Sequence, residues 1–309
     1  MNPTAVVFAY GDVGIGCIKV LLSERVDVRL VVTHEDDPGE ARWYGSVAEL
    51  AAEHSLPCIA PDSPNEAELL RQVSALSCDY LFSFYYRQML SPALLSCARR
   101  GAFNMHGSLL PRFRGRAPVN WAILRGANET GATLHHMVAR ADAGDIVDQQ
   151  PVPILIDDDA LTVFRKVTVA AEIVLSRSLP RLIDGSATRT PQRLGEGEYC
   201  GRRRPEDGRI DWARSAREIH DLVRAVAPPF PGAFTELLGE RWNISRTQLL
   251  ADREPPSRQA AWLHTNAGQC VVACVDGGQL RLVSAASARG TSGLDALVSR
   301  LEQSPILLA

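Results

Sequence analysis

Several features are scarce in this 309-residue sequence, and each absence excludes a class of protein. No run approaches the roughly 20 apolar residues of a membrane-spanning helix, and residues 1–4 lack the charged start of a signal peptide. Basic charge is not in excess, because 33 basic residues stand against 36 acidic ones, so no overall positive field attracts nucleic acid. We therefore expect a cytoplasmic protein with neither a membrane nor a nucleic acid as its partner.

Cysteine is sparse and scattered. The seven cysteines are Cys17, Cys58, Cys78, Cys97, Cys200, Cys270 and Cys274. They form no C-x-x-C pair, and no second pair or histidine run accompanies the last two, so the spacing predicts neither a disulfide framework nor a zinc site. We expect reduced thiols and no bound metal.

Apolar β runs alternate with helical periods through the first half of the chain. The predicted strands are 4–9, 26–33, 57–60, 79–84, 102–106, 130–138 and 146–156; the predicted helices are 11–23, 46–54, 66–76, 118–125 and 161–184. Such alternation is typical of βαβ units, so we predict an α/β fold with a Rossmann-like, mostly parallel sheet over residues 1–189. Ligands of such sheets bind at the carboxyl ends of the strands.

The pattern changes after residue 189. Residues 190–204 are polar and carry no long apolar period, which predicts a linker. An amphipathic helix follows at 215–226, and short β runs lie at 233–238, 241–245, 270–275 and 280–283. One helix with several short strands predicts a small OB-like β-barrel domain over residues 205–309.

The glycines after the first strand have the spacing G-x-x-G-x-G, at Gly11, Gly14 and Gly16. The dinucleotide-binding fingerprint is G-x-G-x-x-G instead. We therefore favour a tight turn into a closely packed helix over NAD binding.

Asn104 and His106 are two residues apart in a predicted strand, so their side chains project from the same face. An amide and an imidazole would be costly to bury there without partners, whereas at the carboxyl end of the strand they would face the ligand crevice. The alternative is a histidine that is simply hydrogen-bonded at a strand end. The basic turn 112–118 that follows offers cations and helix N-terminal amides to an anion.

A second polar group lies at 140–146, where Asp142 and Asp145 flank Gly144. A loop at this place would bring one carboxylate to His106, as a general base near neutral pH requires. The alternative is an ordinary Asx turn.

These motifs together resemble the 10-formyltetrahydrofolate-dependent formyltransferase family: N-x-H at 104–106, S-L-L-P-x-F-R-G at 108–115 and D-x-G-D-I at 142–146. Segments 37–40, 44–47, 82–87, 116–121, 201–205 and 223–234 resemble one branch, the formyltransferase domain of the bifunctional enzyme that makes lipid A aminoarabinose. The likeness covers essentially the whole sequence. That branch also has a decarboxylase half, so both a free-standing enzyme and an excised domain stay open.

The resemblance implies roles for individual residues. Asn104 would stabilise the transition state, His106 would accept a proton, and Asp142 would favour the protonated form of His106. The implied folate-binding residues are Gln88, Met89, Leu90, Arg116, Val138, Ala139, Arg140, Ala141 and Asp142. The co-substrate would be 10-formyltetrahydrofolate, and no metal is implied.

The same branch implies UDP-4-amino-4-deoxy-L-arabinose as the amine acceptor, in lipid A biosynthesis and polymyxin resistance. The family's largest branch formylates methionyl-tRNA and carries a basic insertion after the second strand. Here residues 33–42 hold four carboxylates and one arginine, which disfavours a phosphate backbone. Methionyl-tRNA and other nucleotide-linked amino sugars remain the alternatives, as do a folate-binding sensor without activity and a hydrolase that releases formate.

Two further groups keep two interpretations each, and a pair of histidines is left unassigned. Trp43 and Tyr44 would either line a small-ligand cleft or pack together on the surface. Arg202, Arg203 and Arg204 would either hold the diphosphate of the acceptor or be solvated linker charges. Of His135 and His136, at most one reaches the site, because neighbours on a strand face opposite ways, and we assign neither a role.

Overall fold

The computed structural model describes residues 2–36, 42–253, 260–288, 290 and 293–308, with side chains for all of these except 252–253. Residues 37–40 of the branch resemblance therefore lie outside the described residues. The chain divides into two compact units. Unit 1 comprises Met1–Pro118, Glu129–Pro153 and Phe164–Gly201; unit 2 comprises Val119–Asn128, Ile154–Val163 and Arg202–Ala309. The division falls inside the predicted linker 190–204.

Strands and helices alternate through the first two hundred residues. The strands are β1 (Thr4–Ala9), β2 (Asp27–Val32), β3 (Cys58–Ile59), β4 (Tyr80–Phe84), β5 (Gly101–His106), β6 (Arg114–Gly115), β7 (Glu129–His136), β8 (Ile146–Pro153) and β9 (Tyr199–Cys200). The helices are α1 (Gly11–Ser23), α2 (Val47–Glu53), α3 (Ala67–Leu76), α4 (Pro92–Leu95), α5 (Pro118–Leu124) and α6 (Ala160–Asp184).

Unit 1 is built on a seven-stranded sheet in the order β3-β2-β1-β4-β5-β7-β8. The five strands from β3 to β5 are parallel, whereas β7 and β8 run antiparallel to their neighbours. The central strand β4 is buried at every position, as expected for a parallel sheet covered on both faces. The predicted α/β class is confirmed. The two antiparallel strands, β7 and β8, extend the sheet beyond β5.

Close packing explains the glycines of α1. A Cβ added at Gly14 would lie 3.1 Å from the Ala9 Cβ, and one at Gly16 would lie 2.2 Å from Glu172 Oε1. A side chain at Gly14 would press on Ala9 at the end of β1, and one at Gly16 would displace the Glu172 side chain of α6.

Residues 190–201 are bound to unit 1 by backbone hydrogen bonds. Ile146 and Thr190 exchange two of them, at 2.8 and 2.9 Å. Further along, β9 pairs with β6 in a two-stranded sheet. This part of the predicted linker is therefore part of unit 1.

Unit 2 contains a nearly closed antiparallel β-barrel. Its elements after residue 201 are α7 (Ala216–Ala225), β10 (Ala233–Leu237), β11 (Glu240–Arg253), β12 (Ala261–Asn266), β13 (Gln269–Ala273), β14 (Gly278–Ser287), α8 (Leu294–Leu301) and β15 (Ile306–Leu308). The strand order is β10-β11-β14-β13-β12-β15. Trp212, Trp242, Leu263, Val272 and Leu282 belong to its core. None of the helices within the described residues combines the length and apolar character needed to cross a membrane.

Candidate active site

Asn104 and His106 lie near the carboxyl end of β5, on one face of the strand. His106 is buried, with 6% of its surface exposed, and Asn104 is part-buried. Because β5 is flanked by the parallel β4 and the antiparallel β7, this face receives side chains from both neighbours. The two polar residues are thus presented at the edge where ligands of such sheets bind.

The His106 ring is oriented by the loop after β5. Its Nε2 lies 2.9 Å from the carbonyl oxygen of Phe113. A carbonyl only accepts hydrogen bonds, so Nε2 carries the hydrogen and donates it. This leaves Nδ1, which lies 3.6 Å from Asp142 Oδ1, as the nitrogen available for proton transfer.

Hydrogen bonds inside the 107–113 loop keep that carbonyl in place. Ser108 Oγ donates to the Arg112 carbonyl at 2.6 Å. Thr133 Oγ1, from β7, donates to the Ser108 carbonyl at 2.6 Å and accepts from the Leu110 backbone N–H at 3.1 Å. Gln149, from β8, donates to the Leu110 carbonyl at 2.9 Å. The added antiparallel strands therefore support the loop that orients the histidine.

Asp142 is held as a carboxylate beside His106. Its side chain is 13% exposed, and Oδ2 accepts a 2.8 Å hydrogen bond from the Gly115 backbone N–H. Burial acts to raise the pKa of the Asp142 carboxyl, but the neighbouring His106 and the Gly115 N–H outweigh it and hold that pKa well below its usual range. A negative charge next to Nδ1 stabilises an imidazolium there.

The turn that carries Asp142 is bound on two sides. Asp142 has a φ of 51°, in the left-handed region. Gln192 Nε2 donates to the carbonyl oxygens of Asp142 and Gly144, at 2.9 and 2.6 Å. Gly144 itself packs against the end of β7, where a Cβ would lie 1.9 Å from the His136 carbonyl oxygen. The predicted turn is thus a rigid support for the carboxylate.

The structure resolves which of the two neighbouring histidines reaches the site. His135 Nε2 lies 3.1 Å from Asn104 Nδ2 and 3.6 Å from Asp142 Oδ1. His136 is on the opposite face, where its ring centroid lies 4.7 Å from that of Phe103. Burial, followed by Arg189, lowers the pKa of His136. Strand alternation predicts that only one of them reaches the site, but the choice depends on the pairing of β7 with β5.

The first segment implied for folate lies in the loop after β4. Gln88 is exposed and donates to the Asp62 carbonyl at 2.9 Å, while Met89 is 55% exposed. Leu90 instead belongs to the hydrophobic core, so its side chain is turned away from solvent. Asn65 donates to the Met89 carbonyl at 2.9 Å and thereby holds the loop.

The second implied segment leads into the Asp142 turn. Val138 is 44% exposed, and Ala139 and Arg140 are also exposed, whereas Ala141 is half-buried. Arg116, on the other side of Gly115, is exposed, and its backbone N–H donates to the Cys200 carbonyl at 2.9 Å. The exposed side chain of Val138 therefore lies four residues before Asp142 in the sequence.

Trp43 and Tyr44 are packed rather than free-standing. The Trp43 ring meets Phe164 edge to face at 5.1 Å, and the Tyr44 hydroxyl lies 3.1 Å from that of Tyr10. The Arg87 guanidinium donates to the Tyr44 hydroxyl at 3.0 Å. Both residues are half-buried, which fits the packed-pair interpretation and leaves an edge of each ring at the surface.

The three arginines predicted at the domain junction lie in unit 2. Arg202 and Arg204 are exposed, whereas the Arg203 guanidinium lies 5.3 Å from the centroid of the Trp121 ring and donates to the Asp207 carbonyl at 2.9 Å. Burial lowers the pKa of Arg203. Diphosphate binding by these residues stays a prediction.

The described residues include no group of three or more His, Cys, Asp or Glu side chains placed to hold a metal ion. The seven cysteines are free thiols. The chemistry available at the site is that of an amide, an imidazole and a carboxylate.

Two family descriptions match the chain. "Formyl transferase" matches residues 11–179, and "Formyl transferase, C-terminal domain" matches residues 203–292. The chain belongs to the formyl transferase family. The resemblance drawn from the three motifs is confirmed at the level of the family, and this formyl transferase is a formyl-transferring enzyme.

Solved structures of similar fold cover between 77% and 93% of this formyl transferase. An N-formyltransferase from Helicobacter canadensis, in complex with folinic acid and dTDP-3-aminofucose, is 18% identical with a TM-score of 0.71 over 91% of this chain and 99% of that one. The sugar 3N-formyl transferase WlaRD is 17% identical with a TM-score of 0.72 over 93% and 98%. A 4-N formyltransferase from Francisella tularensis is 20% identical with a TM-score of 0.64 over 77% and 95%. At these identities the likeness is one of fold.

Proposed function

We propose that this formyl transferase moves the formyl group of 10-formyltetrahydrofolate to the amine of a nucleotide-linked amino sugar. The observation that carries the proposal is the 3.6 Å approach of Asp142 Oδ1 to His106 Nδ1, with Asn104 on the same strand face. WlaRD is a sugar 3N-formyl transferase, and the N-formyltransferase from Helicobacter canadensis holds folinic acid and dTDP-3-aminofucose, which supports the substrate class.

The reaction requires a base and an acid at one place. The unprotonated amine attacks the formyl carbon and builds a tetrahedral intermediate with a negatively charged oxygen. His106 Nδ1 takes the proton that the amine loses, and the Asp142 carboxylate stabilises the resulting imidazolium. The bond from the formyl carbon to N10 of the folate then breaks, and the imidazolium returns its proton to that nitrogen. The products are the N-formyl sugar and tetrahydrofolate.

Asn104 is the proposed donor to the oxyanion. Its amide shares a face of β5 with His106. The amide nitrogen Nδ2 carries two hydrogens, and one of them is hydrogen-bonded to His135. The other is the donor that the oxyanion needs. Losing one such donor typically costs about 10²–10³ in kcat.

We place the folate against residues 88–90, 116 and 138–142. Met89 and Val138 expose large apolar side chains, which suit the flat ring system of a pterin. Arg116 would offer its guanidinium to a polar edge of the folate, and Leu90 would contribute through its backbone, since its side chain is in the core. The Asp142 turn would then lie beside the formyl group.

Our first candidate for the acceptor is UDP-4-amino-4-deoxy-L-arabinose, which would place the enzyme in lipid A modification. The branch resemblance supports this choice, and the acidic character of residues 33–42 disfavours methionyl-tRNA. A different nucleotide-linked amino sugar would use the same chemistry.

The decisive experiment incubates the purified chain with 10-formyltetrahydrofolate and, separately, with UDP-4-amino-4-deoxy-L-arabinose, dTDP-3-aminofucose and methionyl-tRNA. We expect N-formylation of a sugar nucleotide, detected by mass, with tetrahydrofolate formed in equal amount. Formylation of methionyl-tRNA alone would overturn the acceptor class. Release of formate without any acceptor would identify a hydrolase instead.

A pair of histidine variants separates catalysis from binding. His106→Ala should lower kcat by about 10²–10⁴ while the folate Kd changes little, because general acid–base catalysis is lost. His54→Ala, at an exposed position, is the matched control and should retain activity. Unchanged turnover in His106→Ala would remove this histidine from the mechanism.

A further inference from the structure

His135 is placed directly against the Asn104 amide by the pairing of two strands. In the antiparallel register of β5 and β7, Asn104 lies opposite His135. Side chains of such a pair stand on the same face and within contact distance. His135 is 2% exposed, and its Nε2 lies 3.1 Å from Asn104 Nδ2. The contact is therefore built into the sheet.

Hydrogen bonds assign the hydrogens of the His135 ring. Its Nδ1 lies 2.9 Å from the carbonyl oxygen of His136, which only accepts, so Nδ1 carries a hydrogen. Nε2 faces the amide nitrogen of Asn104, which only donates, so Nε2 accepts. His135 is thus a neutral ring with one donor turned to the backbone and one acceptor turned to Asn104.

An acceptor at this place determines the orientation of the Asn104 amide. With Nδ2 bonded to His135, the second hydrogen on Nδ2 stays on the side of the proposed oxyanion. If the amide rotated end for end, its carbonyl oxygen would face both His135 Nε2 and the developing negative charge. The Asp142 carboxylate, 3.6 Å from the same Nε2, would further disfavour an amide oxygen there.

We propose that His135 is a positioning residue that keeps the –NH₂ group of Asn104 directed at the reacting centre. This inference rests on the proposed function, because it assigns the oxyanion of formyl transfer to Asn104. His135 acts through Asn104 and, being buried, has no contact with substrate of its own.

Two substitutions test the two hydrogen bonds of His135 separately. His135→Asn keeps a donor near the Nδ1 position for the His136 carbonyl but removes the acceptor for Asn104. His135→Gln places an amide oxygen near the Nε2 position and restores that acceptor. We expect His135→Asn to lower kcat by about 10–100-fold with little change in the folate KM, and His135→Gln to recover most of the loss.

A double-mutant cycle tests whether the effect passes through Asn104. In an Asn104→Ala background, His135→Asn should lower kcat by no more than about twofold further, because coupled residues are not additive. A full, additive loss in that background would overturn the proposal. So would equal activity of His135→Asn and the unaltered enzyme.

A readout without turnover separates this inference from the proposed function. Nitrogen-15 NMR of the full chain, with the His135 signals assigned by the two variants, reports which ring nitrogen carries hydrogen. The Nδ1–H form is expected, and an Nε2–H ring or a cation would overturn the proposal even in an active enzyme. If the unaltered chain formylates no acceptor, the proposed function fails while the ring assignment is still measured.

Discussion

The α-carbon of Gly144 lies against the carbonyl oxygen of His136, so closely that a Cβ would come within 1.9 Å of it. This contact joins the turn that carries Asp142 to the end of β7. The position of the carboxylate therefore depends on the absence of a side chain two residues away. Glycine in the D-x-G-D-I motif is explained by this approach.

Gly144→Ala should move the turn and with it Asp142. We expect kcat to fall by about 10–100-fold and the free energy of unfolding to fall by about 1–3 kcal/mol, since overpacking displaces backbone. Steady-state kinetics and urea unfolding measure the two effects. Gly195→Ala is the matched control, because a Cβ there meets nothing within 4 Å. Equal behaviour of the two variants would contradict the role given to the contact.

Gln192 should be needed for activity although it lies far along the chain from the motifs. Gln192→Glu removes the donor that bonds the Asp142 and Gly144 carbonyls and sets a carboxylate against both oxygens. We expect the turn to loosen, with a loss of about 10-fold or more in kcat/KM and about 1–3 kcal/mol in stability. Gln303→Glu, at an exposed position, makes the same change of charge elsewhere and should leave kcat/KM and stability unchanged. A silent Gln192→Glu would show that the turn holds its shape without this side chain.

Asp142 should make the stability of the protein depend on pH in the acid range. Its pKa is lowered in the folded state, so the carboxylate stabilises the fold above the pKa of an unfolded aspartate, about 4, and this contribution is lost as the pH falls through the folded value. In Asp142→Asn the loss of stability on acidification should therefore be shallower than in the unaltered protein. Urea unfolding between about pH 7 and pH 3 measures both slopes. Glu24→Gln, an exposed carboxylate, is the control, and parallel curves for Asp142→Asn and the unaltered protein would contradict the prediction.

The hydroxyl groups of Tyr80 and Tyr85 are both buried, and removing them should affect the free energy of unfolding differently. Among the described residues the Tyr85 hydroxyl has no hydrogen-bond partner, and burial raises its pKa, whereas the Tyr80 hydroxyl donates to the Leu182 carbonyl at 2.8 Å. Tyr85→Phe should leave the free energy of unfolding unchanged or raise it by about 1 kcal/mol, and Tyr80→Phe should lower it by about 1–2 kcal/mol. Urea unfolding of the two variants measures both changes. An equal loss of free energy of unfolding in both variants would show that the Tyr85 hydroxyl has a hydrogen-bond partner in solution.

The sheet of unit 1 is well predicted because its strands are continuous apolar runs. The predicted and observed ranges of β1 agree, at Thr4–Ala9, and those of β4 differ by one residue. The barrel is predicted less well. β11 extends to Arg253 although only 241–245 were predicted, since its register shifts break the alternation that marks a strand. β12, α8 and β15 were missed, because short half-exposed elements leave little periodic signal.

The same contrast holds in the site. The strand spacing predicts that Asn104 and His106 share a face, whereas the family resemblance, and not the spacing, selects Asp142 over Asp145. The sequence does not select His135 over His136, because strand register determines which of them faces Asn104 and the local pattern does not contain that register. Gln192 was missed in a polar segment without period, and the Phe113 carbonyl that orients His106 is a backbone atom, which residue identity cannot indicate.

Residues 190–201 belong to unit 1, and this has a practical consequence for anyone who shortens the protein. A fragment cut after residue 189 would discard Thr190, Gln192 and β9. It would lose the hydrogen bonds from Gln192 to the backbone of the Asp142 turn and the partner strand of β6. An N-terminal fragment intended to keep Asn104, His106 and Asp142 in place has to extend through Gly201.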